Sequence, residues 1–440
     1  MFFKIFLLIL VAQLSFSKNW DVEFGARSNV LNSTVGDVDG NRFWLEFEGQ
    51  YSSLPKKGFG YHGDLYVQRN DTGLISGSLR EAYLRYKNGN GTLFVGRKIH
   101  AWSFTDSYWG IGTTNNRENI DFYRPGQEGL TGLSYQWSNK RFGFTAFASY
   151  INIPELNPNT DIDSENRTIG SRNPFGRNFP ETTTAFNPGQ LTPIFYDVED
   201  LDIASIVFNY SVGLSARVKG KNWLLKGFIL RKPENTTSTS GRFIADVQEN
   251  ASSVEVSARA EVFYHTVLGG DLQYAINRRT KLYASLLHII PDDESQDGSN
   301  SGELEDLSRL TSIQVGKKIQ TYASVGGIHA ARRYKLGLHY LARVSEFDVE
   351  GDSTVSFPRW SQAVSVDGEW LVGRRWRLKG NVKVDTIEQS RIFSMSVGYK
   401  YNANLRFVFG VDGIGADEEN SFWSEFQNND AVYVASYISF

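Results

Sequence analysis

Charged side chains in this 440-residue chain recur at every second position beside apolar neighbours, and that spacing defines what they can do. Arg377, Lys379 and Lys383 alternate with Trp376, Leu378, Val382 and Val384. Successive side chains of an extended strand point to opposite faces, so the three cations share one face and the apolar four the other. Nearer the N-terminus, Glu46, Glu48, Asp64, Glu81 and Arg85 fall on the polar side of similar alternations. Rows of charge on one face of a sheet suit a water-filled wall that attracts, repels or orients charged solutes. Segment 100–127 follows Gly96-Arg97 and adds Trp102, Asp106, Tyr108, Trp109, Arg117, Glu118, Asp121, Tyr123 and Arg124. Aromatic faces beside carboxylates and guanidinium forks can line a passage for sugars and similar polar solutes. The same composition also fits an external loop packed against the aromatic belt of a membrane interface.

Other chemistries are poorly represented. With no cysteine, the chain has no disulfide, thiol nucleophile or Cys-ligated metal site. None of the six histidines (His62, His100, His265, His288, His329 and His339) lies in a two-His metal motif, so no metal or cofactor is expected. Asp37-Val38-Asp39-Gly40-Asn41 lacks the downstream Glu of a calcium loop and reads as a turn. A hydrolase would need a nucleophile activated by a histidine across strands, and no spacing singles one out, so an enzyme is not expected. A formal charge of −3 carries no basic surplus for nucleic acid.

The elements that must carry these side chains are strands. Ala204–Val218 and Val254–Ile276 each alternate apolar and polar residues throughout, and each is expected to be one continuous strand. Short polar turns (52–57, 88–91, 138–141, 220–222, 277–280, 330–333, 373–375 and 402–404) alternate along the chain with longer polar segments. The longer segments are 30–40, 69–77, 100–127, 152–203, 232–253, 291–305, 347–359, 388–391 and 413–428. Eight turns and nine loops join 18 strands. An even number of strands, with short turns at one rim and long loops at the other, predicts an all-β, antiparallel transmembrane barrel. A soluble sandwich or propeller would have connections of one general kind.

Met1–Ser17 has Lys4, an apolar run from Ile5 to Ala12, and Ser15 and Ser17 before a cleavage point, which is the pattern of a secretory signal. The expected organisation is a signal peptide at 1–17 and one outer-membrane barrel at 18–440, with long loops 100–127 and 152–203. Loop 152–203 could be a plug, a lid or a surface epitope. Alternation in the first four strands puts Asp21, Glu23, Glu46, Glu48, Asp64 and Glu81 inward, against Arg27, Arg42 and Arg85. Strands 13 to 17 put Lys335, Arg343, Arg377, Lys379, Lys383, Lys400 and Arg406 inward, against Asp367, Glu369, Asp385 and Asp412. An acidic arc is thus expected to face a basic arc across the pore.

The closing alternation Val432, Val434, Ile438, Phe440 resembles the terminal strand by which the barrel-assembly machinery recognises Gram-negative outer-membrane porins. The hairpin LREAYLRYKNGNGTLFVGRK (79–98) is similar to a porin hairpin whose second strand carries Gly-Arg before the pore-folding loop. Eighteen strands resemble the substrate channels (maltoporin-like, carboxylate-selective and alginate-exporting) more than the 16-stranded general porins. The Pro-Glu-Phe-Gly turn of the general porins is absent from 100–127. The resemblance implies an outer-membrane channel through which small hydrophilic solutes, such as sugars or carboxylates, diffuse passively. It implies membrane lipid and lipopolysaccharide as surroundings; the acidic run Asp292, Asp293, Glu294 and Asp297 reads as a solvated loop that divalent ions could bridge to lipopolysaccharide. Trimer and monomer both stay open, and the alternative function is a non-conducting surface barrel whose loops bind partners.

Overall fold

Backbone groups inside hydrocarbon have no water to bond, so a sheet there must leave no free edge. The computed structural model meets that demand. It describes residues 20–31, 41–71, 75–118, 123–155, 191–199, 202–236, 238–245, 254–292, 319–345, 359–416 and 430–440, with short pieces at 73, 121, 161–163, 165–170, 182–183, 312–313 and 422–424. The signal segment 1–17 and the Asp37–Asp39 part of the acidic tract lie outside the described residues, as do Asp293, Glu294, Asp297 and much of loop 152–203.

Numbering only the strands of the wall, the barrel consists of β1 Trp20–Leu31, β2 Asn41–Ser53, β3 Gly58–Asn70, β4 Ile75–Asn88, β5 Gly91–Lys98 and β6 Leu130–Ser138. It continues with β7 Phe142–Ser149, β8 Ser211–Lys219, β9 Trp223–Pro233, β10 Tyr264–Ala275, β11 Thr280–Pro291 and β12 Gln320–Ala330. The last third is β13 Tyr334–Arg343, β14 Gln362–Val372, β15 Trp376–Asp385, β16 Ser390–Lys400, β17 Leu405–Ala416 and β18 Ala431–Ser439. Each strand pairs antiparallel with its chain neighbours, and β1 pairs antiparallel with β18, Phe24 opposite Ile438. The result is a closed 18-stranded antiparallel barrel, as the alternation of turns and loops predicts. At the seam, Phe440 N–H donates to Val22 O at 2.9 Å and the Phe440 ring meets Phe24 edge-on.

The wall's outer face is apolar. Leu214, Trp370, Trp376, Phe409 and Val434 are all exposed, an area no water-surrounded surface of this size would present without a partner. Among the described residues no helix is long and apolar enough to cross a membrane. Among the described residues the helices are α1, Phe104–Trp109, and α2, Ile203–Val207.

Two expected strands are interrupted. Ala204–Val218 is not one strand: residues 203–207 form α2, whose N-cap Asp202 accepts from Ala204 N and Ser205 N at 3.1 and 3.3 Å, and β8 begins only at Ser211. This local cap competes with extension where no neighbouring strand reaches. Val254–Ile276 is two strands. Val254–Glu261 joins a separate sheet, antiparallel to 238–245 and parallel to 192–198, and β10 starts at Tyr264. Alternation runs across the break because both sheets use period two, whereas wall strands β9 and β11 are only 11 and 12 residues long.

The register yields a direct test. Leu378→Arg with Val382→Arg places charge on the lipid face at a cost of up to about 2–4 kcal/mol each near the midplane. This variant should fail to form the heat-modifiable folded species on a gel; normal assembly would mean the faces of β15 are inverted.

Candidate functional site

Segment 99–129 leaves β5 and folds into the lumen. Two residues before β5 ends, Gly96 has a φ of 123° that excludes other residues without strain; a Cβ there would lie 2.2 Å from Ala82 O. Ser103 caps α1, its Oγ accepting from Asp106 N at 3.2 Å, and Gly110 ends it with φ 73°. The Asp106 carboxylate accepts from Gly112 N (2.7 Å), Thr113 N (3.1 Å), Thr114 N (3.0 Å) and the Thr114 hydroxyl. Arg117 donates to the carbonyls of Asp106 and Ser107 at 2.9 and 2.8 Å. Asp106 therefore ties the loop to itself, and Arg117 braces the helix end.

The loop is anchored around the wall. At β10–β12, Phe104 N donates to Asp271, Thr105 Oγ1 to Ser285 Oγ (2.7 Å) and Trp109 Nε1 to Ser324 Oγ (3.2 Å). At β14 and β15, Tyr108 OH donates to Asp367 (2.8 Å), and Lys383 Nζ donates to Tyr108 O (3.1 Å). His339 stacks on Tyr108 with ring centroids 3.9 Å apart and meets Asp367 through Nε2 at 2.8 Å. Beyond the helix, Asp121 accepts from Arg27 (2.8 Å) and Arg124 (3.0 Å), while Arg124 also pairs with Asp412 on β17. Arg27 lies 3.0 Å from Glu46, so an ion chain runs from β2 through the loop to β17 across the seam. Glu118 accepts from Gln68 (3.1 Å) and Ser76 (3.3 Å), and Glu128 pairs with Arg97 (2.7 Å).

Charge on the loop is set by these contacts. Burial alone would raise the Asp121 carboxyl, but Arg124 and Arg27 outweigh it and hold the group at about 2. Glu118 is pushed up to about 7, chiefly by burial, with Glu128 adding to the shift and Arg80 opposing it. Glu155, where the next long loop touches this one, is raised to about 7 by burial despite Arg359 and Arg117 nearby.

At the end of α1 lies an aromatic cluster: Trp109 meets Trp360 edge-on at 6.0 Å and Trp360 meets Trp423 at 5.3 Å, all three buried. Below it, between the loop and the wall at β13–β18, lies a cavity of about 890 Å³ that extends to the turns at 373–375 and 401–404. Eleven cationic and three acidic residues line it. All three acids are engaged: Glu23 with Arg406 (2.9 Å), Glu369 with Arg377 (2.6 Å), and Asp367 with Tyr108 and His339. Lys335, Lys379 and Lys400 make no salt bridge among the described residues.

The sequence-derived residues thus divide. Arg377, Lys379, Lys383, Arg117 and Arg124 line the cavity. Glu46, Glu48, Asp64 and Glu81 sit on the inner side, but the acidic arc is not an open counterpart to the basic one. Glu46 is bound by Arg27, Glu48 lies 3.5 Å from Arg80, and Glu81 contacts His62, Lys98 and Ile99 N. Arg85 bonds Pro55 O at the turn rim, and Arg97 is buried against Glu128 and Gly129 O. Arg80 escaped the period-two reading because the β3–β4 register shifts at Asp64/Leu65, which lets both Arg80 and Glu81 face inward. Arg359, Trp360 and Trp423 lie in polar loop sequence with no periodic signal, so nothing in the chain marked them as lumen residues.

These features define a closed 18-stranded antiparallel barrel with an in-folded loop. The chain is similar in shape to a triple mutant of Rh. blastica porin (10% identity, TM-score 0.39, covering 96% of this chain and 99% of that one). It is also similar to OccAB3 of Acinetobacter baumannii (10% identity, TM-score 0.48, covering 96% and 98%). No family model and no curated relative matches the chain.

Glu118 supplies a pH test. Between the usual 4.5 and about 7 the folded carboxyl holds more proton than the unfolded one, so the stability it contributes is present at low pH and is lost as pH rises through that window. Hydrogen-exchange protection of residues 104–118 should fall from pH 5 to 8 in the wild type, and Glu118→Gln should reduce that fall. An unchanged slope would assign the pH dependence to another group.

Proposed function

We propose that this protein is an outer-membrane channel for the passive diffusion of small hydrophilic solutes, with anions such as small carboxylates favoured over neutral sugars. One observation carries this reading: of the eleven cations that line the cavity beneath the in-folded loop, Arg124, Arg359, Arg377 and Arg406 are paired with acids, and the other seven make no salt bridge among the described residues. In a narrow space with low-dielectric walls, unneutralised cations concentrate anions and repel cations. Lys383 lies 5.3–5.7 Å from the ring centroids of Tyr108, Trp109 and Trp360, where α1 meets β15. Aromatic faces there would shield the apolar part of an organic anion while the lysines meet its charge. Outer-membrane placement rests on the closed apolar-faced barrel, the signal-like segment 1–17 and the terminal strand ending at Phe440. Membrane lipid, lipopolysaccharide and the barrel-assembly machinery are the corresponding partners.

A second reading has its own support. The buried stack of Trp109, Trp360 and Trp423 across the loop end of the lumen suits a barrel that conducts poorly or only after the loop moves.

Planar-bilayer recording separates the two. The wild type should give discrete conductance steps with an anion-selective zero-current potential in a salt gradient. Lys335→Glu with Lys379→Glu and Lys400→Glu should shift that potential toward cation selectivity and leave the folded barrel intact, because no lipid-facing residue changes. Folded protein that never conducts would favour the closed surface barrel, and unchanged selectivity would mean that these lysines are screened by salt.

A further inference from the structure

Outside that cavity, the rim formed by the short turns holds a second concentration of charge. Three neighbouring hairpins meet there: the β6–β7 turn at 139–141, the β8–β9 turn at 220–222 and the β10–β11 turn at 276–279. Their backbones are tied together, Lys219 N donating to Arg141 O at 2.7 Å and Ala275 N to Asn222 O at 2.7 Å. Asn139 stiffens the first turn by accepting from Arg141 N (2.8 Å) and Phe142 N (2.7 Å), and Asn277 does the same for the third through Arg279 N and Thr280 N.

Between the turns lies a cavity of about 660 Å³ that shares no residue with the one under the loop. Six cations line it (Lys140, Arg141, Arg217, Lys219, Lys221 and Lys281), and no acidic residue does. None of the six makes a salt bridge among the described residues. The acid on the wall above, Asp271, is already taken: it accepts from Phe104 N and Ser285 Oγ and lies 3.6 Å from Lys226. Arg217 is laid against the wall by a deliberate gap in the opposite strand. Its cross-strand partner is Gly143, where a Cβ would come within 2.7 Å of Arg217 Nε.

Six like charges gathered around one cavity repel one another, and an anion among them relieves that repulsion. Two guanidinium forks and four ammonium groups match an anion with several oxygens and more than one charge. We propose that this rim cavity is a binding site for a multivalent oxyanion of the phosphate class. Its lining also includes Phe142, Trp223 and Tyr274, so it is open both to water at the mouth and to the lipid border. A soluble phosphate and a phospholipid headgroup share the chemistry the site reads. The proposal does not depend on conduction, since binding is measured without it.

The test uses the full folded chain in an uncharged detergent at low salt, with inorganic tripolyphosphate as the probe in titration calorimetry. The wild type should bind, and Arg141→Gln with Arg217→Gln and Lys281→Gln should weaken binding by roughly tenfold or more. Lys335→Gln with Lys379→Gln and Lys400→Gln, in the other cavity, should leave this rim component in place. Heat-modifiability on gels checks that both variants remain folded, and Gly143→Ala, which displaces Arg217 without removing charge, should weaken binding as well. In a parallel arm, native mass spectrometry counts phosphatidylglycerol against phosphatidylcholine retained by the same proteins. Loss of tripolyphosphate binding alone in the rim variant identifies a soluble anion, and loss of phosphatidylglycerol alone identifies a headgroup; either supports the site. Equal binding by wild type and rim variant in both arms, or equal weakening by the two triple variants, would overturn it.

Discussion

Everything in this molecule follows from the absence of hydrogen-bonding solvent in hydrocarbon. A strand that crosses a membrane must satisfy its N–H and C=O groups on neighbouring strands, and the first and last strands can do so only on each other. Pairing of β1 with β18 is therefore the contact on which the other strand pairs depend. Once the ring is closed, the period-two pleat assigns each side chain to lipid or lumen. Apolar residues go outward at no cost, and charged residues face a confined interior.

That interior must then be neutralised or filled. Removing a charge from water is expensive unless a counter-charge and hydrogen bonds replace the water. The in-folded loop supplies these selectively. Asp121 and Arg124 complete a chain that begins at Glu46 and Arg27 and ends at Asp412, joining strands on both sides of the seam. Asp106 turns its carboxylate on the loop's own backbone, which lets a six-residue helix persist far below the length at which an isolated helix is stable. Acids of the wall are taken up by the loop and by neighbouring wall cations: Glu81 accepts from Ile99 N, Glu46 meets Arg27, Glu48 meets Arg80 and Glu23 meets Arg406. The basic sector on β13–β17 has too few acids to match, and its field remains available to solutes.

The two ends of the barrel carry different physics. At the loop end, indole rings and buried polar pairs cluster together, and Glu155 brings the next loop against Arg359 at 3.9 Å. At the turn end, hairpins too short to fold inward leave lysines and arginines exposed around an open mouth. A solute passing between the ends would meet a packed, low-dielectric layer on one side and a hydrated cationic one on the other.

Strand existence, number and facing were legible in the chain because a pleat has only one period, and the alternation of short turns with long loops repeats it at the scale of the whole barrel. Arg377, Lys379 and Lys383 could be assigned to the inner face of β15 on that ground alone. Breaks in the pattern were not legible where period two continued across them, as at Val262–Phe263 between a loop strand and β10, or where a bulge reversed parity, as at Arg80. Partners were beyond the reach of sequence spacing altogether. Arg27 and Asp121 are 94 residues apart, and Tyr108 and Asp367 are 259 apart. Only closure of the ring brings such residues within bonding distance, so the pairing of the acidic arc and the exposure of the basic one were decided by the tertiary structure.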